Sequence, residues 1–252
     1  METKRFGLIG QHIDYSLSPQ IFRNFFLREG RPYSYEIFNL EPGQLDEFMA
    51  VNPLAGFNVT IPYKQKVIPY LDSLDNEAAE MTGIVNCVTH DPERHLLLGY
   101  NTDAFGFEFL LNRIPGFLQH TGSVLILGTG ATAQTVRYVM EFHYHSHCLM
   151  AGRHPRPERG IVSYGDLDAP LMNEFGLIVN TTPLGGPNHP GRAPRIPYEG
   201  LGERHLLIDV NYRPDQTLFM KLGRQAGART YNGLPMLVAQ AYKSWEIWKN
   251  FL

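Results

Sequence analysis

Asn58, Thr60 and Lys64 stand in the run Phe57-Asn58-Val59-Thr60-Ile61-Pro62-Tyr63-Lys64, where apolar and polar residues alternate. A period of two puts Asn58 and Thr60 on the face opposite Val59 and Ile61, with Lys64 just past the strand's end. An amide, a hydroxyl and an ammonium then converge at a strand C-terminus, the edge where open α/β sheets hold ligands. The plain alternative is a polar strand edge with a solvated lysine. Other polar groups also stand at element ends. Ser16 and Ser18 follow the first strand, and Asn86 ends the fourth strand region. Asn101 and Asp103 lie in Gly99-Tyr100-Asn101-Thr102-Asp103, Tyr212 follows a later strand, and Gln240 lies on the last helix. Such groups suit a polyhydroxylated ligand.

A second chemistry is written in Gly128-Thr129-Gly130-Ala131-Thr132-Ala133. It follows a buried strand and opens a helix. The first glycine makes the tight turn, the second lets a pyrophosphate approach the backbone, and Ala133 permits close helix–strand packing. Amides at the helix start favour the phosphates. NAD sites carry an acid about 20 residues further on, at the end of the next strand. Here that place reads Ala151-Gly152-Arg153-His154, with no acid. Arg153, with Arg156 and Arg159 nearby, suits the 2′-phosphate of NADP, because guanidinium grips phosphate bidentately.

The elements that must position these groups fall into two sets. Phe6–Gly10 reads as a short buried strand. Ser18-Pro19 reads as a helix start, with Ser18 as N-cap and Ile21, Phe22, Phe25 and Phe26 at helical spacing. Residues 33–38, 57–61 and 84–89 read as strands, 45–50 as a short helix, and 96–99 as the second arm of a hairpin across Asp91-Pro92. A new set begins at residues 123–127. Strands at 147–151, 177–180 and 206–210 alternate with helical stretches such as 136–142, which predicts a parallel, doubly wound sheet. The segment 155–175 is short for a full helical crossover. Residues 234–248 form an apolar-rich final helix. The expected class is α/β with two domains: residues 1–101 plus 232–252 as an N-terminal α/β substrate domain, and 102–231 as a Rossmann-like dinucleotide-binding domain.

The 252 residues carry a formal net charge of −3, with 43% hydrophobic and 19% charged content. That balance gives no electrostatic footprint for nucleic acid or an anionic membrane. No apolar run approaches the roughly 20 residues of a membrane span, and no signal-peptide core follows Met1. The two cysteines are too few for a disulfide framework, so a cytoplasmic, reduced protein is expected. Cys87 and Cys148 read as small buried residues, and Trp245 and Trp248 as packing. Tyr63 reads equally as a pocket wall or a packing residue. His143, His145 and His147 read as a helix-to-strand connection, because no acid or cysteine nearby completes a metal site.

Several of these motifs, in this order and separation, make the chain similar to the shikimate dehydrogenase family over nearly its whole length. They are Ser16-x-Ser18, Asn58-Val-Thr-x-Pro-x-Lys64, the Val85-Asn86 pair before the hairpin, Gly99-x-Asn-Thr-Asp103, the glycine turn, and Gly233-Leu-x-Met-Leu-Val-x-Gln240. The resemblance implies NADP-dependent reduction of 3-dehydroshikimate to shikimate in aromatic amino-acid biosynthesis. It implies Lys64 and Asp103 as the catalytic pair. Ser16, Ser18, Asn58, Thr60, Asn86, Asn101, Tyr212 and Gln240 would hold the substrate. Gly128, Gly130, Ala131, Ala133 and Arg153 would hold the cofactor.

The chemistry agrees with the pair. Hydride transfer to a ketone builds alkoxide character, so a positioned cation and proton donor must meet that oxygen. Lys64 can do both, and Asp103 can orient it by ion pairing. Sequence leaves open which of the two transfers the proton, and Lys64 is the expectation. Ala131-Thr132 in the middle of the turn and Pro157 in place of a second arginine depart from the family pattern and soften the NADP preference. A quinate or aminoshikimate dehydrogenase, and a silent dinucleotide or shikimate sensor, remain the alternatives. Monomer and homodimer are both open.

Overall fold

The computed structural model describes residues 3–117 and 122–252. The chain divides into two compact units, Met1–Gly106 with Val238–Leu252, and Phe107–Leu237.

The first unit runs β1 (Arg5–Gly10), α1 (Ser18–Arg28), β2 (Ser34–Asn39), α2 (Leu45–Val51), β3 (Gly56–Val59), β4 (Ser73–Leu74), α3 (Glu77–Thr82), β5 (Cys87–Asp91) and β6 (Leu96–Tyr100). Helix α4 (Asp103–Asn112) starts at its end. The strands form one sheet in the order β2-β1-β3-β5-β6-β4. β2 and β3 pair parallel to β1, whereas β5 pairs antiparallel to both β3 and β6. Because β5 is reversed, its N-terminal end falls on the same sheet edge as the C-terminal ends of β1, β3 and β6. That single edge gathers Gly10, Val59, Asn86 and Asn101 from four segments remote in sequence.

Two clusters of buried apolar residues cover the sheet. One joins Ile9, Phe57, Val59, Tyr63, Val67 and Val88. The other joins Phe6, Phe22, Phe26, Ala241, Trp245 and Trp248, so the end of the last helix completes the first unit's core. Helix α3 shows how local signals set an element's ends. The Asn76 side chain accepts from the Ala79 amide at its start, and Gly83 ends it at φ +60°, a conformation glycine adopts without strain.

The second unit runs β7 (Ser123–Leu127), α5 (Ala131–Tyr138), β8 (Cys148–Gly152), β9 (Ile161–Ser163), α6 (Ala169–Met172), β10 (Phe175–Asn180), β11 (Leu206–Asp209), α7 (Leu218–Gln225) and β12 (Arg229–Asn232). Helix α8 (Leu234–Lys249) starts here. Its sheet has the order β12-β11-β10-β7-β8-β9, and every pairing is parallel. β10 and β11 are buried at every position, as expected of parallel strands covered on both faces. Between β8 and β9 the crossover shrinks to one tight turn at Pro157–Arg159, and α6 is a single turn. The short 155–175 segment leaves no room for more.

Three local expectations are corrected. Ser18 is the first residue of α1 rather than its cap: Leu17 holds the cap position, and no side chain caps the helix. The regular third strand ends at Val59, and the next two residues keep only irregular bonds to the end of β1, the Thr60 amide to the Ile9 carbonyl at 2.9 Å and the Gln11 amide to the Ile61 carbonyl at 3.0 Å. The alternation therefore ends early, and Ile61 is 58% exposed instead of facing the core. Asn86 precedes its strand instead of ending it, since β5 begins at Cys87.

Candidate active site

Lys64 and Asp103 form an ion pair at the gathered edge of the first sheet, with only 11% and 9% of their side chains exposed. The sequence folds this way because the chain turns sharply after β3. The Tyr63 amide bonds the Thr60 carbonyl at 2.8 Å, and the Val85 amide bonds the Lys64 carbonyl at 2.9 Å. Tyr63 is 2% exposed and donates its hydroxyl to the Leu40 carbonyl at 2.7 Å, so it anchors the turn as a packing residue. Asp103 is the first residue of α4, where the helix dipole favours a carboxylate. An ammonium carries three donors, and Asp103 takes one. Among the described residues the other two have no acceptor and can meet a ligand oxygen.

Around the pair lies a buried polar network. The Asn86 side-chain amide donates to Asp103 Oδ1 at 3.0 Å and to Thr102 Oγ1 at 2.9 Å, with Gln240 Oε1 at 3.3 Å. The Thr102 backbone amide donates to Asn86 Oδ1 at 2.6 Å. Asn58 donates through Nδ2 to the Asn86 carbonyl at 3.0 Å and to Ser244 Oγ at 2.9 Å, while its Oδ1 accepts from the Tyr35 hydroxyl at 2.9 Å. Ser16 Oγ donates to Ser18 Oγ at 3.2 Å and accepts from the Ser18 backbone amide at 3.2 Å.

Of the expected site residues, the network joins Lys64, Asp103, Asn86, Asn58 and Gln240, while Ser16 and Ser18 bond each other. Thr60 lies beside it, half-buried, with its hydroxyl unpartnered among the described residues. Asn101 is 1% exposed and serves the backbone: its Oδ1 accepts from the Ala104 amide at 3.3 Å, and its Nδ2 donates to Thr82 Oγ1 at 3.2 Å. Tyr212 belongs to the second unit, half-buried in the loop after β11. Tyr35, Thr102 and Ser244 were not singled out from the sequence. Ser244 could have been found from its spacing, since it lies four residues after Gln240 and shares its helix face. Tyr35 could have been found from β2's alternation.

In the second unit the glycine turn takes the form its spacing predicts. Gly128 has φ +115°, and a Cβ there would meet Thr181 Oγ1 at 2.6 Å, so only glycine fits. Gly130 is the N-cap of α5, and a Cβ there would meet nothing within 4 Å. The bare backbone thus faces open space at a helix start, which is the cradle a pyrophosphate needs. Ala131 opens the helix, and Ala133 is fully buried against the sheet. Arg153 is exposed, one residue past the end of β8, where a ribose 2′-phosphate would need a cation. The residues present fit a dinucleotide.

Burial pushes the Cys87 and Cys148 thiols up to about 12, so both are inert packing groups. No cluster of histidine, cysteine and acid able to hold a metal occurs among the described residues. No helix among them is long and apolar enough to cross a membrane.

Fold and site together define an α/β protein with a Rossmann-type dinucleotide-binding unit and a separate unit carrying a buried lysine–aspartate pair. Residues 8–88 match the family model described as the shikimate dehydrogenase substrate binding domain. A shikimate dehydrogenase (NADP(+)) of Clostridium botulinum is 33% identical over 96% of this chain and 95% of its own. The chain belongs to the shikimate dehydrogenase family.

Among solved structures, the shikimate 5-dehydrogenase of Thermus thermophilus in complex with NADP(H) and shikimate superposes with a TM-score of 0.82. It is 28% identical, over 99% of this chain and 94% of that one. A quinate dehydrogenase of Corynebacterium glutamicum in complex with NAD shares the fold at a TM-score of 0.80 and 26% identity, over 99% of this chain and 95% of its own. Fold likeness alone does not separate the two substrates.

Proposed function

We propose that this protein catalyses the reversible, NADP-dependent reduction of 3-dehydroshikimate to shikimate in the aromatic amino-acid pathway, in the cytoplasm. The observation that carries this is the buried Lys64–Asp103 pair at an edge lined by amides and hydroxyls, in a chain of this family. The unit of residues 1–106 and 238–252 takes the substrate, and residues 107–237 take NADP. Arg153, with no acid beside it, favours NADP over NAD.

When bound, NADPH supplies the hydride that adds to the ketone carbon. Lys64 holds the ketone oxygen by an N–H donor and stabilises the charge that grows there. It then transfers that proton, so an O–H bond forms as an N–H bond breaks, and solvent restores the ammonium. Asp103 keeps the lysine aimed and accepts from a neighbouring substrate hydroxyl. Within the first unit, Ser16, Ser18, Asn58, Thr60, Asn86, Asn101 and Gln240 hold the remaining hydroxyls and the carboxylate. Gly128, Gly130, Ala131 and Ala133 shape the pyrophosphate cradle.

The test is absorbance at the reduced-nicotinamide band with purified protein, comparing shikimate with quinate and NADP with NAD. Turnover should be fast only with shikimate and NADP. It should fall by about 10²–10⁴ in Lys64→Ala, and Asp103→Asn should also be severely impaired. Near-normal kcat in Lys64→Ala with none in Asp103→Ala would move the proton transfer to Asp103. No turnover with any pair, despite NADP binding, would leave a sensor as the reading.

A further inference from the structure

Ser244 is fully buried in the last helix, and three of its neighbours belong to the network described above. Its hydroxyl donates to the Gln240 carbonyl at 3.0 Å, the ordinary back-bond of a helical serine. One proton makes one bond, so both lone pairs of the oxygen must accept. Asn58 Nδ2 donates into one at 2.9 Å, and Thr102 Oγ1 lies at 3.1 Å from the other. Thr102 has a second acceptor in reach, Asn86 Oδ1 at 3.2 Å, which also receives the Thr102 backbone amide at 2.6 Å. With the Ser244 proton on the Gln240 carbonyl, the Thr102–Ser244 contact is made by the Thr102 proton, which Asn86 Oδ1 shares. The Thr102 oxygen accepts from Asn86 Nδ2, which also reaches Asp103 Oδ1 at 3.0 Å and Gln240 Oε1 at 3.3 Å, leaving Asp103 Oδ2 for Lys64.

We propose that Ser244 is a positioning residue for the shikimate site. Its hydroxyl takes one of the two Asn58 Nδ2 hydrogens and the Asn86 carbonyl takes the other, while Tyr35 holds the Oδ1 end. The same hydroxyl ties that amide through Thr102 and Asn86 to the Lys64–Asp103 pair. This rests on the substrate reading above. The Ser244 hydroxyl, with its proton on the Gln240 carbonyl, can only accept from Asn58, which sets the orientation of the Asn58 amide. Asn58 then presents its remaining Oδ1 lone pair, an acceptor, to the ligand. Removing Ser244 Oγ leaves one buried Asn58 donor unpaired and the Nδ2 end held by the Asn86 carbonyl alone.

The experiment is steady-state kinetics on Ser244→Ala, Tyr35→Phe and the double variant, run well below each variant's Tm. Each single change should raise KM for shikimate about tenfold, the effect of one unpaired buried donor or acceptor. KM for NADP should stay unchanged, and kcat should fall much less than KM rises. The double variant should show less than the product of the two effects, because an amide freed at one end has little left to lose at the other. Unchanged KM for shikimate with a lowered Tm, or fully multiplicative effects, would overturn the proposal and leave Ser244 a packing residue.

Failure of the substrate reading itself is visible separately, as absence of turnover in the wild type. In that case the rise in Tm on adding shikimate takes the place of KM. A rise present in the wild type and reduced in both variants supports the positioning role. An equal rise in all forms, or none in any, overturns it.

Discussion

Asp209 closes β11 with no exposure to solvent. Thr217 Oγ1 donates to it at 2.6 Å, Asn211 through its amide at 3.0 Å and Nδ2 at 2.8 Å, and Asn180 Nδ2 at 3.1 Å. Asn211 also donates to the carbonyls of Thr182 and Leu184, so the carboxylate ties together the loops that follow β10 and β11. Burial raises the Asp209 pKa, and the hydrogen bonds oppose this without cancelling it. A carboxyl raised in the folded state holds its proton longer there than in the unfolded chain. Its favourable contribution is complete below the unfolded value of about 3.9 and is lost as pH rises through the raised folded value. Urea unfolding of the wild type and Asp209→Asn between pH 4 and 7 reads this directly. Wild-type stability should fall relative to the variant as pH rises. A gap that stays constant or moves the other way would show that hydrogen bonding outweighs desolvation. At this scale the sequence displayed Lys64, Asp103 and the glycines, because each sits in a short local motif. It did not display Ser244, whose partner Asn58 is 186 residues away.

The last helix and β3 meet at a place where a single methyl group decides the packing. A Cβ at Gly56 would come within 2.5 Å of Trp248 Nε1, the atom that donates to the Val88 carbonyl at 2.9 Å. Trp248 also stacks on Phe6, with ring centroids 4.8 Å apart. Gly56→Ala must push the indole off both contacts, and overpacking of this kind costs about 1–3 kcal/mol. Thermal melts should show Tm lowered by several degrees, and an unchanged Tm would mean that the helix shifts freely. Strand and helix existence was legible in the periodicity at this scale. Ends were not always legible. Pro62 was in view, yet nothing local said that the regular ladder would become irregular after Val59. Asn86 was misplaced for a related reason, since the reversal of β5 is a property of pairing rather than of its own residues.

For the molecule as a whole, residues 238–252 complete a unit whose other part ends at Gly106. They supply Ala241, Trp245, Ile247 and Trp248 to its core, together with Gln240 and Ser244 to its polar network. Losing a buried tryptophan costs about 3–5 kcal/mol. Losing two is comparable to the roughly 5–15 kcal/mol that separates a folded domain from its unfolded chain. A chain ending at Leu237 should therefore lose amide protection in β1, β3 and β5, as measured by hydrogen exchange. Retained protection in those strands would show that the first unit holds without the helix.

The sequence by itself determined the α/β class, the glycine turn, the lysine–aspartate motif and the likeness to one dehydrogenase family. Each of these is read from short local motifs, and the likeness from several such motifs in a fixed order along the chain. Only the tertiary structure decided which edge gathers the site, which hydroxyls fix its amides, and which core the last helix fills. Those depend on strand direction and on contacts between segments far apart in the chain, and local periodicity carries no record of either.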